Sequence, residues 1–159
     1  MYMFYILSLF ILFKRMKQKF FLEKRYEVNF LIEKALKLQN NNAIKEAKEI
    51  YQEIIAKKEE IELFEYSLAL NNLVVLCYEN NDLKQANLYY EELVQVREEL
   101  FALDCELYGI DYIYTKVMGV EWFQKSTKEL EGAKKLLASF KGVYNTTFLE
   151  QKINSLEYT

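Results

Sequence analysis

Residues 83–93 read LKQANLYYEEL, and the phrase they contain, Leu83-x-x-Ala86-x-x-x-Tyr90-x-x-Leu93, occurs three times in the chain with conservative variation. The other copies are Ile44-x-x-Ala47-x-x-x-Tyr51-x-x-Ile54 and Leu130-x-x-Ala133-x-x-x-Leu137-x-x-Phe140, and the alanines lie 39 and 47 residues apart. Offsets of 0, 3, 7 and 10 keep the four side chains on one face of an α-helix. A small residue in second place predicts that another helix approaches closely there. Each copy follows a short polar break. A repeat of this period points to stacked helical hairpins and away from a catalytic domain.

Composition supports the same class. The chain has 159 residues, enough for one domain with a sizeable core. At 52% hydrophobic and 28% charged it is neither disordered nor mainly embedded in a membrane. Proline is absent and glycine occurs only at 109, 119, 132 and 142. Few breakers predict long helices, so the expected fold is all-α. Histidine is also absent, which removes the usual general base and the commonest metal ligand. Cys77 and Cys105 lie far apart without metal-ligand spacing, as thiols in a reducing compartment do. Cys77 falls on the apolar side of its helix, and no base partner stands beside Cys105. Neither a glycine-rich phosphate loop nor a nucleophile with a base at recognisable spacing occurs. The expectation is a protein that is not an enzyme and needs no cofactor or metal.

Charge is uneven. Residues 1–27 carry six Lys/Arg and two acids, a net of +4, while residues 59–111 carry thirteen acids against Lys84 and Arg97, a net of −11. The acidic middle disfavours nucleic acid as a partner, because phosphate binding needs a cationic surface. The basic N-terminus suits an anionic membrane.

Residues 1–13, MYMFYILSLFILF, are apolar apart from Ser8, and Lys14, Arg15, Lys17 and Lys19 follow. Thirteen helical residues span about 20 Å, short of the roughly 30 Å hydrocarbon core. The charge follows the apolar run, whereas a signal peptide carries it before. Three readings of residues 1–15 stand side by side: a tether with its basic side in the cytoplasm, a helix packed on the first repeat, or an upstream extension with Met16 as the start. The first implies a cytoplasmic protein attached to the cytoplasmic face of a membrane. Residues 16–159 form the helical repeat domain.

Within that domain, helices are expected over about 15–39, 43–58, 62–79, 83–100, 105–124, 127–141 and 147–158. Phe30, Leu31, Ala35 and Leu38 mark the buried side of the first, and Leu70, Leu73, Val74 and Cys77 that of the third. Asn40-Asn41-Asn42 and Asn80-Asn81-Asp82 are stops, since asparagine tolerates left-handed backbone. Asp82 with Gln85, Ser126 with Glu129, and Thr147 with Glu150 have capping-box spacing. Gly109 and Gly119 are expected to weaken the fifth helix, and Gly142 to end the sixth. The last helix, with Phe148, Leu149, Ile153 and Leu156 at helical spacing, suits a capping element at the end of a repeat array.

The stretch LALNNLVVLCYENNDLKQANLYYEELVQVREEL, residues 68–100, resembles a tetratricopeptide repeat of the longer variety found in kinesin light chains and many bacterial repeat proteins. The residues that carry the likeness are Leu70-Asn71-Asn72-Leu73-Val74, Asn81-Asp82, Ala86, Tyr90 and Arg97-Glu98. The repeats would cover about 28–58, 62–100 and 105–141. The first has Lys34 where a buried leucine is expected, and the third has Gln124 where the core residue before the turn should fall. The resemblance implies an α-solenoid whose first helices line a concave groove for an extended peptide or a partner helix. It makes Asn72, then Asn71, the leading partner contacts, with Val75, Tyr78 and Glu79 further along the groove. Hydrogen bonding between neighbouring helices is the alternative role for both asparagines. Tyr90 is read as repeat core and Trp122 as a structural plug. Two other readings of the whole chain remain: a structural subunit or homo-oligomer with permanently buried surfaces, and a peptide-sensing regulator without an output domain.

Overall fold

The computed structural model describes residues 2–140 and 146–157, with side chains from Met16 onward except at 17, 18 and 21. Among the described residues it is all-helical. The elements are α1 Tyr2–Asn40, α2 Ile44–Ala56, α3 Leu63–Glu79, α4 Leu83–Leu103, α5 Cys105–Phe123, α6 Lys128–Ser139 and α7 Thr147–Glu157, with a 3₁₀ turn at Lys58–Glu60. The expected stop at Gly142 lies outside the described residues.

Most boundaries fall within a few residues of those expected, and the exceptions have local causes. α1 does not begin near residue 15 but runs unbroken from Tyr2. Lysine, arginine and glutamine are good helix formers and contain no stop. α4 continues to Leu103, and only Asp104 separates it from α5. The Asp104 carboxylate accepts from the Leu107 amide at 2.9 Å, so one residue both ends a helix and caps the next.

The chain divides into two compact units, 1–76 and 77–159, with the division inside α3. In the first unit α1 packs along α2. Val28, Ile32 and Ala35 of α1 and Ala47, Tyr51 and Ile54 of α2 are all buried, with Ala35 and Ala47 at 0% exposure. Two helices can touch backbone to backbone where both offer only a methyl. Leu31 and Leu38 are half-buried, but Phe30, expected inside, is exposed. The buried arc is centred on the Val28, Ile32 and Ala35 positions, and residue 30 lies across the helix from residue 28.

The turn ending α1 has Asn42 at φ 62°, with the Ala43 amide donating to Leu38 O at 2.9 Å and the Asn42 amide to Gln39 O at 2.9 Å. The turn ending α3 has Asn81 at φ 60°, with Asp82 donating to Cys77 O at 2.9 Å and Asn81 to Tyr78 O at 3.0 Å. Position for position the two turns are the same helix stop, 39 residues apart like the phrases that follow them. Gln124, at φ 53°, stops α5 in the same left-handed way, but its loop is wider: Lys125 donates to Gly119 O at 3.1 Å. It is an exposed stop, where the repeat pattern asked for a core side chain.

Caps differ in detail from the expected boxes. Asp82 Oδ1 accepts from the Gln85 amide at 3.4 Å, a weak bond. Ser126 Oγ receives the Lys128 amide at 3.3 Å rather than that of Glu129. The Thr146 hydroxyl, just before α7, donates to the Glu150 carboxylate at 3.0 Å.

In the second unit α5 is the common neighbour, packed against α4, α6 and α7. Ile113, Val117, Leu130, Ala133, Leu137, Phe140, Leu149 and Ile153 form its core. The two glycines of α5 have a packing role that outweighs their helix propensity. A side chain at Gly119 would overlap the Tyr90 hydroxyl, and one at Gly109 would overlap the Phe140 ring. Gly132 of α6 meets nothing within 4 Å.

These surroundings predict opposite outcomes for one substitution. Gly119→Ala should destabilise by about 1–3 kcal/mol through overpacking, despite a better helix former. Gly132→Ala should stabilise by up to ~1 kcal/mol. Urea midpoints of the two variants check both signs.

Candidate functional site

The five candidate partner contacts all lie on α3. On a helix of 3.6 residues per turn, positions 71, 72, 75, 78 and 79 fall within one arc. Asn71, Asn72 and Val75, in the first unit, are half-buried between the buried Leu70, Leu73, Val74 and Leu76. Asn71 already has an interaction partner inside the protein.

Tyr78 and Glu79 belong to the second unit. Glu79 is exposed. Tyr78 stacks on Trp122 with ring centroids 4.4 Å apart and planes at 10°. It also makes a T-shaped contact with Phe123 at 6.0 Å, and Phe123 in turn packs on Tyr90 at 4.7 Å. One face of Tyr78 is therefore engaged within the protein. Trp122 is half-buried and does more than fill space: it orients Tyr78.

Trp122 also lines a cleft of about 220 Å³ with Tyr114, Val117, Met118 and Glu121 of α5 and Phe148 and Lys152 of α7. Positions 114, 117, 118, 121 and 122 are one helical face, so the alternation of Tyr, Met and Trp there was a readable signal. Phe148, 65% exposed, belongs to this rim and not to the buried stripe of α7. Lys152 and Glu121 form an ion pair across it.

Two buried charges escaped the sequence reading. Arg97 donates to the Asp111 carbonyl at 2.8 Å and to Thr115 Oγ1 at 2.5 Å, tying α4 to α5. Burial lowers its pKa, and the Asp111 carboxylate works in the opposite direction. The Arg-Glu pair that closes the family-like stretch thus splits: Arg97 is buried and Glu98 is exposed, bonded to Lys116 at 3.1 Å. Glu65, only 1% exposed, sits in the first turn of α3. Arg25 Nε of α1 reaches Glu65 Oε1 at 2.9 Å, while Oε2 is buried with no hydrogen-bond partner.

None of this is a catalytic arrangement of recognisable type. Burial pushes the Tyr51 hydroxyl up to about 12 and raises Tyr90 as well, away from nucleophilic use. Cys77 is buried and Cys105 exposed, both as free thiols. Among the described residues no group of His, Cys, Asp and Glu could hold a metal ion. No protein-family model matches the chain, and neither a curated protein nor a solved structure does.

Burial raises the Glu65 carboxyl above its ordinary value and the nearby Glu62 adds to the rise, while a hydrogen bond from its own backbone and the Arg25 charge offset only part. The folded chain therefore holds this proton more tightly than the unfolded one. The resulting stability is complete below the unfolded carboxyl value and is lost as pH rises through the folded value. Denaturant titrations between pH 4 and 7 should show wild type losing stability relative to Glu65→Gln as pH rises. A difference that stays flat would mean that the backbone hydrogen bond and Arg25 together compensate the buried charge.

Proposed function

We propose that the chain is a non-catalytic interaction module of the tetratricopeptide type, an α-solenoid of helical hairpins that binds a peptide or protein segment along its first helices. The observation that supports it best is the pair of matching left-handed stops at Asn42 and Asn81, 39 residues apart. Each is followed by a helix burying Ala, Tyr and an aliphatic residue at the same offsets: Ala47, Tyr51 and Ile54, then Ala86, Tyr90 and Leu93. Repetition of turn and core together is what a repeat array requires, since each hairpin leaves an apolar face for its neighbour.

In this reading Asn72 offers an amide donor and acceptor to a peptide backbone, with Asn71, Val75, Tyr78 and Glu79 beside it. Residues 1–15 hold the module at the cytoplasmic face of a membrane. The apolar run of residues 1–13 covers about 20 Å of the roughly 30 Å hydrocarbon core, so the attachment proposed is a shallow one. Among the described residues no helix is long and apolar enough to cross a membrane.

A second reading, a subunit of a fixed assembly, draws on Leu103 and Leu107, which are 75% and 61% exposed at the α4–α5 joint. Peptides selected from a random library on the immobilised full chain separate the two. The module reading expects a selected peptide to lose about tenfold in affinity to Asn72→Ala with an unchanged thermal midpoint, the loss of one or two hydrogen bonds. No peptide selected, together with a stable oligomer by light scattering, would instead establish the assembly.

A further inference from the structure

α1 is a single helix of 39 residues, roughly 58 Å long, and its sides differ. Opposite the buried Val28, Ile32 and Ala35, the residues Leu22, Tyr26 and Phe30 are 49%, 76% and 67% exposed. They stand four residues apart and so form one slanting stripe. Lys19 lies on the same stripe one turn earlier, its side chain 79% exposed, and Met16 borders it. Of the acids beside the stripe, Glu23 and Glu27 are answered within the chain, and Glu33 stands exposed one turn beyond Phe30. Glu23 pairs with Lys19 at 3.8 Å, and Glu27 with Lys24 at 3.2 Å and Lys57 at 3.6 Å. Single exposed apolar residues need no explanation, but three at helical spacing on the face turned away from α2 do.

We propose that this stripe lies on an anionic lipid surface, so that α1 runs along the membrane as far as Phe30 instead of meeting it only through residues 1–15. The proposal rests on the tether read above and extends it. Leucine and aromatic side chains enter the boundary between headgroups and acyl chains, while a helix lying in that plane keeps its other side in water. The sequence of residues 1–27 carries a net charge of +4, which supplies the attraction for acidic headgroups, and Lys19, exposed and only loosely paired with Glu23 at 3.8 Å, contributes to it. The same charge argues against a second copy as occupant. Two α1 helices side by side would bring like charges together.

Co-sedimentation of the full chain with vesicles of phosphatidylcholine and phosphatidylserine, and with phosphatidylcholine alone, tests this. Tyr26 and Phe30 are exposed, so Tyr26→Ser/Phe30→Ser should keep the helical circular dichroism and thermal midpoint of the wild type. It should bind the anionic vesicles about tenfold more weakly, as the loss of two inserted rings implies. Lys19→Glu should weaken binding to anionic vesicles and leave the neutral ones unaffected. Undiminished binding of the double variant would overturn the proposal and leave the tether of residues 1–15 standing. No binding by the full chain would overturn both. A dimer in the absence of vesicles that the double variant abolishes would assign the stripe to a second copy and overturn the lipid assignment.

Discussion

The hydroxyl of Tyr90 rests where residue 119 has no side chain, and that contact sets how closely α4 and α5 can lie. Much of the second unit follows from it. With α4 held near, Arg97 reaches across to the Asp111 carbonyl and the Thr115 hydroxyl, fixing the register of the two helices one turn at a time. Phe123 packs against Tyr90 and lies nearly perpendicular to the Tyr78 ring. On another side of α5, Gly109 admits the Phe140 ring at the end of α6 in the same manner. The rings that close these contacts are members of the repeated phrase. Its third position in one copy and its fourth in another are the residues that need a glycine opposite them.

The two buried charges show what the packing can and cannot accommodate. Arg97 loses water but gains a carbonyl and a hydroxyl, and the Thr115 hydroxyl itself donates to Asp111 O at 2.8 Å, so the group of dipoles is closed. Charge-assisted bonds of this kind can offset desolvation when the geometry is good. Glu65 gains a cation on one oxygen and nothing on the other. Its partner Arg25 is half-exposed, so solvent weakens that attraction while the carboxylate remains fully desolvated. The first arrangement fastens two helices. The second stores an imbalance that the proton concentration can relieve.

Features carried by one residue type at one place were legible in the sequence. Asparagine before a helix start announced the left-handed stops at 42 and 81, and alternation of apolar residues announced the helices between them. Features that depend on a distant partner were not. Gly119 reads locally as a weakness, because propensity knows nothing of Tyr90. The burial of Arg97 depends on Thr115, 18 residues away. Phe30 was misjudged because the apolar arc of α1 is broad, and only the position of α2 shows which part is covered. Gln124 looked like a core residue lost, yet it supplies a turn. The five candidate contacts on α3 came from a family likeness, and nothing in their local sequence revealed that Tyr78 would stack on Trp122.

That stack alters what a partner could recognise. A tyrosine with one face covered at 4.4 Å cannot receive a second ring on that side. Trp122 lines the cleft beside Tyr114, Met118 and Phe148 while holding Tyr78 through the same indole. Any ligand that displaced the indole from the cleft would therefore move Tyr78 as well. Tyr78, Trp122, Phe123 and Tyr90 form one chain of ring contacts, and selectivity in such a surface depends on the packing beneath it. The glycines of α5 thus act twice. They allow the helices to close, and they fix the depth from which the exposed rings project.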